Sequence, residues 1–169
     1  MKKILLLAVF ALAAFVIYSY TNRQDDKAFK KEALENQMIA LDGSSIAFKN
    51  ILEKYKGKTI VIDVWASWCS DCIKGMPKVK ALQTQFPDAT YLFISIDKTP
   101  EAWKKGIEKY DVRGEHYMAK DGMKGIFGKS IDLNWIPRYM VVDKKGKIAL
   151  FRAIEADDTK LIETLKTLK

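Results

Sequence analysis

Thr59-Ile60-Val61-Ile62-Asp63-Val64-Trp65-Ala66-Ser67-Trp68-Cys69-Ser70-Asp71-Cys72 is the stretch that decides the fold. Its first seven residues are β-branched or apolar apart from Asp63, and they show no polar–apolar alternation. A run of that kind and length predicts a central strand covered on both faces. After Cys72 the period changes. Ile73, Met76, Val79, Lys80 and Leu82 recur at helical spacing, and Pro77 is read as a kink inside that helix. A buried strand therefore hands over to a helix at the chain's two cysteines.

Working outward, residues 91–96 form a second continuous apolar strand, and Pro100 opens a helix that runs to about Tyr110. A short extended segment is expected at 114–117, followed by a helix at 122–128 weakened by three glycines. Residues 138–142 read as a strand, 143–146 as a tight turn and 147–151 as the returning strand. Asp157 or Asp158 caps a last helix striped by Leu161, Ile162, Leu165 and Leu168. Upstream, residues 38–48 predict a hairpin around Asp42-Gly43. Phe48, Ile51, Leu52 and Tyr55 then predict a helix stopped by Gly57. The alternation of strands and helices argues an α/β sandwich with a mixed sheet over residues 37–169. A chain of 169 residues holds one such domain and an appendage, and buries a core without disulfide staples.

The appendage is N-terminal. Residues 4–20 are apolar except for Ser19 and two tyrosine hydroxyls, with Lys2 and Lys3 in front and a polar stretch behind. Seventeen residues of helix span roughly 25 Å, a little short of the ~30 Å hydrocarbon layer. Lys3, Tyr18 and Tyr20 can extend that reach. Residues 1–22 are therefore a signal anchor or a cleaved signal peptide. The anchor is favoured, because the small-x-small triplet Ala11-Leu12-Ala13 lies inside the apolar run. Residues 23–36 are expected to tether the domain. The leading lysines place that domain on the periplasmic or other extracytoplasmic side, or in the secreted fraction if the signal is removed. Net charge is +8; the cations flanking the apolar run, Lys2, Lys3 and Arg23, account for three of these charges. The remaining lysines are interleaved with acidic residues and form no basic–aromatic stripe, so nucleic acid is not expected as a partner.

Cys69 and Cys72 stand at C-x-x-C spacing. Zinc wants about four ligands, and His116 is the chain's one histidine, so no metal and no cofactor are expected. Haem attachment needs a histidine where Ile73 stands. A staple closing so short a loop gains little chain entropy. Redox chemistry remains. A thiol at a helix start is stabilised as thiolate by free amide N–H groups. Cys69, at the very end, is the expected nucleophile, and Cys72, one turn in, the resolving thiol. Trp65 is read as core packing and Trp68 as docking surface. His116, Met76, Met118, Met123 and Met140 are read as packing.

Residues 61–72 resemble the active-site segment of the thioredoxin superfamily, and most closely its membrane-tethered TlpA/ResA-like branch. The likeness covers roughly residues 38–169 and is strongest at W-x-x-W-C-x-x-C and at Trp135-Ile136-Pro137. It implies a thioredoxin-like three-layer sandwich with a central mixed sheet, an N-terminal hairpin and a helix–strand insertion at 97–117. It also implies that Pro137 is a cis-proline, that Ile136 and Pro137 pair with an incoming substrate's backbone, and that Asp63 helps deprotonate the second thiol. A carboxylate inside an apolar strand is costly without such a use. The activity implied is thiol–disulfide exchange with exported protein substrates, electrons arriving from a membrane-embedded or thiol-protein donor; the chain itself is expected to be a monomer. Two alternatives stay open: a peroxide-reducing thiol enzyme, and a non-catalytic anchored module on the same fold.

Two positions depart from that family. Ser70-Asp71 replaces the common Gly-Pro or Glu-Pro, and an acidic neighbour disfavours a thiolate. The protein is therefore expected to be a reductant. Gly75 stands where the branch that serves cytochrome maturation carries a glutamate, so that substrate does not carry over.

Overall fold

A computed structural model describes residues 28–169; the expected anchor lies outside them. Seven strands form one mixed sheet in the order β2-β1-β5-β4-β3-β6-β7. At its centre is β3 (Ile60–Trp65), every residue of which is buried. It pairs in parallel with β4 (Thr90–Ser95) and antiparallel with β6 (Arg138–Val142). The unbroken apolar pattern of 59–65 follows from this position, since neither face meets water.

The hairpin joins β1 (Gln37–Ala40) to β2 (Ser45–Ala47), with Met38 opposite Ile46. Its turn is fixed by Gly43 at φ 87° and by the Asp42 carboxylate, which accepts from the Ser44 N–H at 2.8 Å. The expected insertion is present as α4 (Pro100–Tyr110) and β5 (Glu115–Ala119), the strand lying parallel to β4 and antiparallel to β1. β7 (Ile148–Ala153) is the sheet's far edge, antiparallel to β6, and the last helix, α6 (Thr159–Leu168), packs on both β6 and β7. Asp158 is the cap of α6, accepting from Lys160 N and Leu161 N.

Among the described residues five helices precede α6: α1 (Lys31–Glu35), α2 (Phe48–Lys54), α3 (Ser70–Gln85), α4 (Pro100–Tyr110) and α5 (Ile126–Ser130). Helix α1 lies in the stretch expected as a tether. Ala33 and Phe29 are buried there, and Phe29, Phe48 and Phe127 form consecutive edge-to-face pairs at 5.0 and 5.2 Å. Helix α5 begins later than its glycines suggested. Gly122 turns the chain at φ 66°, and a Cβ at Gly128 would sit 2.0 Å from the Met123 carbonyl oxygen. The glycines build a tight turn first, and the Asp121 carboxylate then accepts from Ile126 N at the helix start. Among the described residues no helix is long and apolar enough to cross a membrane.

Candidate active site

Strand β3 ends at Trp65, and the chain turns through Ala66-Ser67-Trp68 into α3. Cys69 is the N-cap residue of α3. Its sulfur accepts from the Cys72 N–H at 3.1 Å, as a Ser or Asp oxygen would in the same place. The 16-residue helix thus points free N–H groups and its positive end at this sulfur. Cys69 and Cys72 are joined as a disulfide, with Cα atoms 5.3 Å apart. Cys69 keeps 6 % of its surface exposed and Cys72 1 %.

Beside the pair, Ile136–Pro137 is a cis peptide, the isomer expected for this loop. The Ile136 carbonyl oxygen lies 3.7 Å from Cys69 Sγ. Trp68 and Trp135 are both more than half exposed. They line, with Cys69, Met123 and Ile136, an open cavity of about 240 Å³. Trp68 is thus where the sequence places a contact surface, while Trp135, which the sequence marks only as part of a loop motif, and Met123, expected as packing, also line it.

A second residue that the sequence left unmarked holds the approach to the cysteines. Asp97, 1 % exposed, follows β4. Its carboxylate accepts from Ser67 N at 3.0 Å, from Ser67 Oγ at 2.7 Å and from Ser95 Oγ at 2.7 Å. Gly106 of α4 leaves room for this loop, since a Cβ there would meet Ser67 Cβ at 2.4 Å. Asp97 therefore fixes the turn that delivers Cys69 to the helix end. Its faint signal in sequence is Ser95-x-Asp97 at the close of an apolar strand. On the other flank, buried Arg138 donates to the Ile131 carbonyl at 3.2 Å and to Asn134 Oδ1 at 2.9 Å, bracing the loop that carries Trp135 and Ile136.

Asp63 lies in β3 opposite Tyr139 of β6. Directly paired residues project to the same face of a sheet. A Cβ at Gly75 would lie 3.9 Å from the Tyr139 hydroxyl, so that face is the one α3 covers with Cys72, Met76, Val79 and Leu82. Asp63 thus shares a layer with Cys72. Burial pushes its carboxyl up to about 8, against which the Tyr139 hydroxyl pulls it down. Such a group is a buried acid–base poised near neutrality. His116 sits elsewhere: buried, stacked on Phe93 at 5.3 Å, with Nε2 3.0 Å from the Val112 carbonyl oxygen. No cluster of potential metal ligands occurs among the described residues.

A family model described as thioredoxin-like matches residues 57–148, which contain β3, both cysteines and the Ile136–Pro137 loop. The thiol-disulfide oxidoreductase ResA of Bacillus cereus is 27% identical over 172 residues, covering 99% of this chain and 94% of its own. The solution structure of a thiol:disulfide interchange protein from a Bacteroides species superposes with a TM-score of 0.63 at 29% identity, over 78% of this chain and 83% of that one. A thiol-disulfide oxidoreductase from Bacteroides fragilis shares the fold with a TM-score of 0.67 at 22% identity, over 79% of this chain and 96% of its own.

Proposed function

The chain belongs to the thioredoxin-like family and is a thiol–disulfide oxidoreductase, and from that premise we propose that it works as a membrane-anchored reductant of exported protein disulfides. The observation that carries the reading is Cys69 Sγ at the start of α3, accepting from Cys72 N at 3.1 Å beside an open cavity. In the reduced form, Cys69 attacks a substrate disulfide and releases one substrate thiol, leaving a mixed disulfide. Cys72 attacks Cys69 Sγ, the second substrate thiol leaves, and the internal disulfide forms. Two electrons pass from the protein to the substrate. Asp63 takes the Cys72 proton. Trp68 and the Ile136–Pro137 edge receive the substrate chain next to Cys69.

Anchoring is supported by the apolar residues 4–20 behind Lys2 and Lys3. An extracytoplasmic domain would draw its electrons from a membrane-embedded or thiol-protein donor. Exposed Asp71, two residues from Cys69, supports the direction of flow, because it opposes a thiolate there. Equilibration with a dithiol buffer tests this. The expected potential lies nearer the about −270 mV of thioredoxin than the about −120 mV of DsbA. Asp71→Asn is expected to raise it by about 10–20 mV. A wild-type value above about −180 mV would overturn the reductant assignment.

A further inference from the structure

Asp63 is sealed. All of β3 is buried, and neither Asp63 carboxyl oxygen makes a hydrogen bond. A base serving Cys72 must nevertheless return its proton to solvent once per cycle. The route has to pass through a neighbouring polar group, and Tyr139 is placed for it. Tyr139 stands directly opposite Asp63 in the β3–β6 ladder, and its hydroxyl is the neighbouring group that pulls the carboxyl's pKa down against burial. The same hydroxyl reaches the α3 side, 3.9 Å from where a Cβ on Gly75 would be. Tyr139 and Gly75 line an open cavity of about 230 Å³, together with Asp71, Lys74, Lys78 and Glu155. A space of this size that is bordered by four charged side chains admits water. Tyr139 itself is 1 % exposed, and Gly75 puts no side chain between its hydroxyl and this cavity.

We propose that Tyr139 is a positioning residue for the resolving step, its hydroxyl carrying the proton between Asp63 and water in the cavity beside Gly75. This rests on the thiol-exchange reading. Cys72 gives its proton to the Asp63 carboxylate, and the Cys72 thiolate then closes the disulfide. The Asp63 carboxyl passes that proton to the Tyr139 oxygen while Tyr139 gives its own to a cavity water. The phenol is regenerated, the carboxylate is restored, and no electron moves in this step. The charged groups facing the hydroxyl are Asp63 from β3, Asp71, Lys74 and Lys78 from α3, and Glu155 and Asp157 from the segment after β7. Lys78 is engaged by both Glu155 and Asp157, the latter at 3.1 Å. Within this group Tyr139 alone both interacts with Asp63 and lines the cavity.

The test uses the reduced full chain mixed with excess dithiobis(nitrobenzoate). Cys69 attack releases one thionitrobenzoate, and Cys72 resolution releases a second, so the two steps appear as two absorbance phases. Tyr139→Phe removes only the hydroxyl. The first phase is expected to be unchanged. The second is expected to slow about tenfold at neutral pH, with its pH limb displaced to the alkaline side of the wild-type limb near pH 8. Gly75→Leu approaches the same route from the helix, its side chain lying against the Tyr139 hydroxyl and filling the cavity. It is expected to slow the second phase while leaving the limb in place. A second phase with wild-type rate and limb in either variant overturns the relay. A wild-type chain that releases only one thionitrobenzoate overturns the exchange reading, and the relay with it.

Discussion

Cys72→Ala is expected to turn a cycling enzyme into one that stops at its covalent intermediate. Cys69 keeps its place at the start of α3 and is the more exposed of the two cysteines. It can still attack a substrate disulfide. With Cys72 gone, no thiol stands one helical turn away to displace the substrate. A mixed disulfide through Cys69 should accumulate to near one per chain and vanish on treatment with excess dithiol. Multiple turnover should fall by at least about a hundredfold, the scale on which removal of a reacting group acts. The adduct also captures the substrate for identification. Non-reducing electrophoresis followed by mass spectrometry reads the result. An adduct formed by Cys69→Ala and not by Cys72→Ala would reverse the assigned order of attack.

Asp63→Asn carries the second large effect, and it acts on stability and turnover in opposite directions. In the unfolded chain an aspartate titrates near 3.8, whereas in the fold burial holds the Asp63 proton until about pH 8. The folded state therefore binds more protons than the unfolded state between these values, and stability falls as pH rises through that window. Below about pH 4 nothing is lost. Above about 8 the whole penalty is present, on the order of 5 kcal/mol for a shift of this size. An asparagine does not titrate. Denaturant unfolding should show wild-type stability dropping across that window and the variant holding level, so that the gap between them moves in the variant's favour by several kcal/mol. Resolution by Cys72 should slow at the same time, since its proton has lost its acceptor. Parallel pH profiles for the two proteins would contradict the buried titration. The cost of keeping a carboxylate in β3 is what a catalytic use explains and a structural use does not.

The centre of this account was legible because it is local. The run 59–65, the change of period after Cys72 and the C-x-x-C pair lie within some fifteen residues, and each element's propensity agrees with its neighbours. The hairpin turn at Asp42-Gly43 and the Pro100 helix start were legible for the same reason. What escaped were relations set by register and by distance along the chain. Asp97 reaches Ser67 across 30 residues, a contact that no spacing rule announces. Tyr139 reads as one more apolar position of a strand until the ladder sets it against Asp63. Trp135 read as part of a loop motif until its exposure opposite Trp68 made it a wall of the cavity at Cys69. Helix α5 shifted because Gly122 and Gly128 serve a close backbone approach rather than merely weakening a helix.

The measurement closest to the central claim is dithiol-driven reduction of a protein disulfide by the full chain, set beside Cys69→Ser. Wild-type protein is expected to accelerate reduction at substoichiometric amounts, with the variant indistinguishable from buffer. Equal rates for the two proteins, or no acceleration by wild type, would contradict an enzyme that works through Cys69 and Cys72.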